Sequence, residues 1–515
     1  MQESEHLATL LGFHRPPPSK GVQLLLAGLV LLALLLAFAI SPWKAIAAIM
    51  GVGVLIAAIA RPLWVIAFLA VYTPLEPFLL KFVNDDLYIY ARYFSEGLIY
   101  LLLASVLLRL LVRDRKLVAT PLDLPFFFFL LVALASIIVN AVPAVYGLLG
   151  LRQIVRFILL FFLTVYLDPD TAYIKRVTSW MFVIVAVEGV IGLLQSVIGG
   201  PLDQFLIPSE RKFYESIQLT SGTEQFWSPG SRVFATLGRY DQLGTFLCFF
   251  FLLAIGLFYM SRKKDERRRY LLPVLIGAPA LLLTLSRASW FGFALSLFVI
   301  GALLMKDWKV RFAYVGAIGI AVLYLAVTGL TVRYLIDYPE QTATERFFEA
   351  FSFERWRGEY YGLGRMYWIV QTPLVVVRSS PLFGVGPGQY GGGAAAALGN
   401  TSVYEKLNLP FGVYGTEGYI DNNWFSLWGE TGTLGVLFYA WMLVALWRMA
   451  LNVWREGKDP YVRGLALGYA GCVLAVAFQA FLATYFEVRT LALYLWLYGA
   501  FIYILGRREK VYASV

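Results

Sequence analysis

Histidine is almost absent from this 515-residue chain: the only two, His6 and His14, lie before the first apolar segment. No later loop or apolar run therefore has an imidazole to act as a general base or to ligate a metal. Cysteine is equally scarce. Cys248 and Cys472 both stand inside apolar runs, where a thiol behaves as a small hydrophobe, so no disulfide framework is expected. Charge is low as well, at 15% of residues, against roughly 25% in soluble domains. So few charges cannot cover a globular surface. With 59% hydrophobic and 16% aromatic residues, most of the chain must have lipid as its solvent.

A helix needs roughly 20 mostly apolar residues to cross the hydrocarbon core. Candidate spans run at about 22–40, 43–60, 62–81, 94–112, 123–141, 150–167 and 174–198, then at 241–260, 270–285, 288–305, 310–331, 422–447, 462–484 and 487–506. The expected fold is an all-α polytopic membrane protein of about 12–14 transmembrane helices. The first stretch has no small-residue cleavage site and runs directly into another span, so it reads as a span and not a signal peptide. Basic residues cluster in alternate connections, most strongly in SRKKDERRR at 261–269. Such loops stay in the cytoplasm, which puts both termini inside. The parts in order are a cytoplasmic segment 1–21, spans in 22–198, an outer loop 199–240, spans in 241–331, a large outer loop 332–421, spans in 422–506 and a cytoplasmic tail 507–515. The net charge of +10 is then largely a topology and anionic-lipid signal, and no nucleic-acid partner is expected.

Several charges on the outer side exceed what topology requires. Arg152 and Arg156 stand four apart on one face of the sixth span. A charge at mid-bilayer costs roughly 2.5–3.5 kcal/mol on insertion scales. The pair either snorkels to outer headgroups or is aimed at a lipid diphosphate. Arg232 and Arg239, in SRVFATLGRYDQLGTF at 231–246, precede a helix whose N-terminus attracts anions. Arg287, in LTLSRASWFG at 283–292, sits in an outward turn between apolar runs, as a phosphate ligand or as an anchor. The large loop contains ERFFEAFSFERWRGEYYGLGRMYWIVQTP, SSPLFGVGPGQYGGG and GYIDNNWFSLWGETGTLGV. Its aromatics Trp356, Tyr360, Tyr361 and Trp368 suit an interfacial belt or stacking on sugar faces. The glycine-rich middle predicts a tight re-entrant or surface turn, either shaping a close backbone approach or cradling phosphate. Asp421, with Asn422, is placed to cap the next helix. Glu430 lies nine residues on, within the apolar helix, and calls for a partner such as arginine.

The order of these segments resembles the O-antigen ligase and O-antigen polymerase superfamily. Its members typically show an outward S-R turn, then P-L-x-G-x-G-P-G, then H/D-N and, after seven intervening residues, E-x-G. Here these are Ser286-Arg287, PLFGVGPG at 381–388, and Asp421-Asn422 with Glu430 and Gly432. The match covers about 230 to 436; the N-terminal half is similar only as a run of spans. The resemblance implies a GT-C-like, metal-independent glycosyltransferase without a cofactor, in the inner (plasma) membrane. Such enzymes take a glycan from undecaprenyl diphosphate at the outer face and pass it to an acceptor hydroxyl. The acceptor is a second lipid-linked repeat unit in polymerases, lipid A-core in ligases and a protein serine in other relatives. Family arginines that hold the diphosphate map onto Arg287, Arg232 and Arg365. Ligases typically carry histidine where this chain has Asp421. The departure favours a polymerase, with Asp421 as base or as orienter of the acceptor hydroxyl. Implied partners are the lipid-linked donor, the acceptor, membrane lipids, and chain-length regulators or other envelope-assembly proteins.

Two other classes compete. A transporter or flippase of lipid-linked glycans predicts two similar halves with broken helices at matching positions, and no such repeat is present. A cell-wall glycan polymerase of the shape and division type also uses a long outer loop with a carboxylate, but its motif order fits poorly.

Overall fold

The structure, a computed structural model, describes residues 61–112, 118–208, 232–327, 343–412 and 418–511, with isolated helical positions between 24 and 60 and two short strands within 213–218. The readings made on His6, His14, the 22–40 and 43–60 spans and the basic cluster Arg113–Lys116 lie wholly or mostly outside the described residues. The chain divides into two compact units, residues 1–68 with 100–114 and residues 69–99 with 115–515. In the first, Ser105 donates to the Ala58 carbonyl at 3.5 Å and Arg109 to that of Ile59. The core packing and the site described below lie in the second.

The helices in chain order are α1 (Pro62–Leu80), α2 (Asp85–Val112), α3 (Asp123–Val139), α4 (Ala144–Val155), α5 (Ile158–Leu167), α6 (Thr171–Ile198) and α7 (Gly200–Leu206). Then come α8 (Tyr240–Met260), α9 (Lys264–Leu283), α10 (Arg287–Leu297, continued by a π-type stretch Phe298–Leu304) and α11 (Trp308–Val327). The large loop holds α12 (Ala343–Glu349), α13 (Phe353–Tyr361), α14 (Arg365–Arg378), α15 (Gly393–Ala397) and α16 (Ser402–Lys406). Three long helices close the chain: α17 (Asn423–Glu456), α18 (Pro460–Gln479) and α19 (Arg489–Arg508). The strands Phe213–Tyr214 and Ile217–Gln218 pair antiparallel in the first long loop.

Among the described residues, eight helices are long and apolar enough to cross a membrane, and nine if α4 and α5 count as one span. Those two were expected as a single span at 150–167; they meet at a 54° bend. The helix α9 falls short because it opens on KDERRR, and α3 has only 17 residues. Apart from that short strand pair, the regular structure among the described residues is helical, and the chain is polytopic in either count.

Buried central helices organise the bundle. The apolar stretch of α19 is 94% buried, that of α8 78% and that of α18 72%. Close approach is built from glycine: a methyl on Gly256 of α8 would lie 2.3 Å from the Gly464 carbonyl and the Gly468 nitrogen of α18. Tyr494 and Tyr469 bury their rings in this core and place their hydroxyls 2.7 Å from the carbonyls of Ala70 and Leu495.

The glycine-rich segment is not a surface turn. Residues 384–392 are buried. They lie against a break in α17, where Gly432 takes φ 67°, ψ −172°, a region open essentially to glycine alone. The break releases helix carbonyls, and Val385 and Gly386 donate to those of Gly429 and Glu430 at 2.8 and 2.9 Å. Thr433 and Leu434 donate in turn to Pro381 and Leu382. A methyl on Gly432 would meet the Leu382 carbonyl at 2.4 Å. Gly432→Ala is therefore expected to cost about 3 kcal/mol or more. A thermal-shift measurement in detergent checks this, with Gly316→Ala, which has open space around it, as the neutral control.

Candidate active site

The turn before α10 aims an arginine. Leu285 adopts φ 51°, and Ser286 occupies the helix N-cap position, so Arg287 becomes the first helical residue. Short helices of the large loop dock beside it. Phe291, one turn further along α10, packs against Phe347 and Phe351 at 5.4 and 6.3 Å between ring centroids, which fixes α12 next to Arg287.

The result is an alternating ladder of guanidinium and carboxylate groups. Glu349 is its hub. One of its oxygens lies 3.5 Å from Arg287 and 3.0 Å from Arg346, the other 3.4 Å from Arg355. Arg355 also pairs with Glu359, and Glu359 stands 3.9 Å from the Arg365 guanidinium while accepting from its backbone N–H at 3.1 Å. Arg365 then donates to Asp421 Oδ2 at 2.9 Å. The ladder is largely enclosed and its last member is the most open: the Arg287 side chain is 14% accessible, that of Arg365 26% and that of Asp421 56%. Asn422, not Asp421, caps α17, accepting from the Phe425 N–H at 3.2 Å.

Two further arginines from the first long loop border this ladder. The Arg232 guanidinium stacks 4.0 Å over the Tyr240 ring. Arg239 forms a two-pronged pair with Asp241 at 3.0 and 3.1 Å; burial acts to lower the Arg239 pKa, but the charge and hydrogen bonds of Asp241, with Tyr240 and Asp421, together raise it above the ordinary arginine value. The two ends of the ladder differ electrostatically. Burial, with the Arg232 charge next in size, depresses the Arg346 pKa against the pull of Glu349. At the other end burial also acts against Arg365, but Asp421 and Glu359 outweigh it and its pKa is raised. The Arg346 side is thus where positive charge is crowded, and the Arg365 side is where it is compensated.

Of the residues singled out from sequence, Arg232, Arg239, Arg287, Arg365 and Asp421 come together here. Arg152 and Arg156 do not; they converge instead on the buried Glu96. Arg152 lies 2.6 Å from one carboxylate oxygen and Arg156 3.0 Å from the other, and Arg156 also donates to the Glu487 carbonyl at 3.1 Å. Their partner here is the Glu96 carboxylate. The residue Arg156 is the C-cap of α4 at the bend, so the pair ties α2, α4 and the loop before α19 together. Breaking a buried ion pair by removing one partner costs about 3–5 kcal/mol, whereas an exposed pair contributes about 0–1 kcal/mol. Glu96→Gln is expected to lower the thermal midpoint strongly, and Lys175→Gln, which breaks the exposed pair with Asp459, to leave it nearly unchanged.

Glu430 also has partners other than the expected arginine. Its carboxylate accepts from the backbone N–H groups of Gly388 and Tyr390 at 3.0 and 3.4 Å, and from that of Gly392. Glu487 accepts from the Gly393 N–H at 2.8 Å and from Asn423 at 3.2 Å. The amides of the glycine-rich loop, which read as a phosphate cradle, are therefore turned on the protein's own carboxylates. Trp368 is likewise withdrawn from any role at the surface. It is 2% exposed and packs edge-on against the stacked rings of Tyr390 and Tyr404. Trp356 and Tyr361 remain exposed, at 39% and 72%.

The span from the turn before Arg287 to the break in α17 contains most of this ladder. Residues 272–440 match the family model for O-antigen ligase. The match supports the O-antigen ligase and polymerase superfamily for this chain. Members of that family transfer glycans, which supports a general glycosyltransferase role here. Among curated proteins none matches the chain. Sequence reasoning missed Glu349, Glu359, Arg346 and Arg355. Their signal was the spacing in ERFFEAFSFERWRGE, where acid and base recur at three- and four-residue intervals.

Proposed function

We propose that the chain is a glycosyltransferase that polymerises undecaprenyl-diphosphate-linked repeat units at the outer face of the inner membrane. The observation that carries this reading is the ladder itself: Arg287, Arg346, Arg355 and Arg365, with Arg232 beside them, surround three carboxylates at one end of the bundle. The bundle's other end carries Lys175, Arg269, Arg455 and Arg507, and by the positive-inside pattern this supports a ladder that faces outward.

Displacing a diphosphate from an anomeric carbon needs charge stabilisation on the leaving group and a positioned acceptor hydroxyl. Guanidinium groups serve the first need because they stay charged at any relevant pH and match phosphate oxygens two at a time. The crowded side, Arg232, Arg287 and Arg346, is assigned to the leaving diphosphate. Asp421, exposed and held by Arg365, is assigned to the acceptor hydroxyl. The O–H bond gives its proton to the carboxylate as the new C–O bond forms, and the old C–O bond leaves its electron pair on the diphosphate. Arg239 positions Asp241 and the start of α8, and Glu430 holds the glycine-rich loop behind Asp421. Arg152 and Arg156 act in this reading as supports of the bundle.

Transfer to lipid A-core is the second reading, favoured by the description of the matching family. The absence of any histidine beyond residue 14 weighs against it. Purified protein given an undecaprenyl-diphosphate oligosaccharide in EDTA decides between them. Longer lipid-linked glycan supports the polymerase, and transfer only to added lipid A-core supports the ligase. Translocation of the lipid across vesicles with neither product would overturn both in favour of a flippase.

A further inference from the structure

We propose that the crevice between α6 and α9 is a binding site for an anionic phospholipid, with the phosphate at Arg269 and one acyl chain lying along the helix pair. The two helices run parallel and touch in their C-terminal halves. A methyl on Gly189 would sit 2.8 Å from Gly277 Cα, and one on Gly192 would sit 3.1 Å from the Ala280 methyl. Before that contact, toward their N-termini, the helices leave a cavity of about 610 Å³.

Phe182 and Tyr270 line it, their rings edge-to-face at 6.2 Å. Its walls are aliphatic, and Val183, Val187 and Leu272 keep 62%, 48% and 57% of their surface exposed. Arg269 stands at the mouth, the last residue of the basic run 261–269, whose only acidic members are Asp265 and Glu266. Lys175 and Arg176 lie on the first turns of α6 at the same end.

Length and charge select the occupant. From Ser179 to Ile191 the crevice follows α6 for twelve residues, or roughly 18 Å. That is about the depth of one leaflet, half of the ~30 Å hydrocarbon core. An apolar slot one leaflet deep, with a cation at its mouth, matches a phospholipid carrying a negative headgroup. The polyprenyl diphosphate of the proposed reaction belongs elsewhere, because Arg269 and Arg287 lie at opposite ends of α9.

The test is native mass spectrometry of the full-length protein in detergent, titrated separately with dioleoyl phosphatidylglycerol, dioleoyl phosphatidylcholine and undecaprenyl phosphate. Wild type, Arg269→Glu, Val187→Trp and a control, Val444→Trp on the exposed face of α17, are compared after matching their elution profiles. Wild type is expected to retain phosphatidylglycerol over phosphatidylcholine by roughly fivefold or more, the factor one basic residue supplies at an anionic surface. Arg269→Glu is expected to bring the two lipids to parity. Val187→Trp fills the crevice and is expected to reduce retention of both, while Val444→Trp retains them as wild type does. Equal retention of both phospholipids by wild type overturns the proposal, as does phosphatidylglycerol retention that neither variant changes. Preferential retention of undecaprenyl phosphate, or a dimer that forms in place of lipid binding, overturns it in favour of that occupant.

Discussion

Arg287→Ala is expected to lower kcat for glycan transfer by about 10²–10³, the usual effect of removing one preorganised donor from a developing anion. The residue combines three sources of positive potential at one point: its own guanidinium, the N-terminus of α10 on which it stands, and Arg346, which shares the Glu349 oxygen with it. Negative charge grows on the diphosphate only as the glycosidic bond breaks, so the loss falls mainly on kcat and less on KM. Arg287→Lys recovers only part of the rate, because an ammonium cannot offer two parallel N–H groups. Single-turnover transfer from a lipid-linked oligosaccharide measures the effect, with the thermal midpoint followed alongside. A folded Arg287→Ala protein with wild-type kcat would remove the leaving-group assignment. Glu349 makes a companion case. It fixes three guanidinium groups before substrate arrives, and Glu349→Gln keeps its shape while releasing their charge. That variant is expected to lose activity through misplaced arginines even though the net positive charge has risen. A purely electrostatic trap would instead bind the lipid more tightly and react no more slowly.

How much of this was legible in the sequence follows from the range of each interaction. Membrane helices announce themselves because hydropathy is local: α6, α8 and α19 fall within a few residues of the stretches expected for them. The break between α4 and α5 was invisible, because Ile154 through Ile158 form no proline or glycine signal and Arg156 reads as an interruption of a span rather than its end. Arginines were recognised as candidates because a charge is conspicuous among apolar residues. Their carboxylate partners were not. Glu349 and Glu359 sit in an amphipathic, aromatic segment that reads as an interfacial one, and Glu96 lies 60 residues from Arg156 in the chain. The glycine-rich loop was read as a close backbone approach in a re-entrant or surface turn, and its burial removes the surface alternative. Its depth depends on Glu430, which satisfies amides that would otherwise need water. A buried acid and a glycine run both stood out, but that each answered the other was a tertiary fact.

Asp421→Asn is the second large effect expected, a fall in kcat of about 10²–10³, within the 10²–10⁴ that a positioned acid–base group supplies. The substitution keeps the size and leaves an oxygen for Arg365, so the ladder should hold and the thermal midpoint should stay close to wild type. What it removes is the proton acceptor. Arg365 donates to one carboxylate oxygen at 2.9 Å, and the side chain is otherwise more than half exposed. That leaves room for an acceptor hydroxyl beside the other oxygen. If the carboxylate only orients the hydroxyl, the amide can still do so, and kcat falls by no more than about tenfold while KM for the acceptor rises. Arg365→Ala separates the two roles from the other side. It frees Asp421 from its partner without removing the base, so geometry is lost while the proton acceptor stays. A base-limited reaction would tolerate that change better than Asp421→Asn, and a geometry-limited one would suffer more from it. Substituting His for Asp421 sharpens the comparison, because ligases typically carry histidine at this position. Activity toward lipid A-core in Asp421→His, absent from wild type, would mean that this one side chain helps to decide which hydroxyl the enzyme accepts.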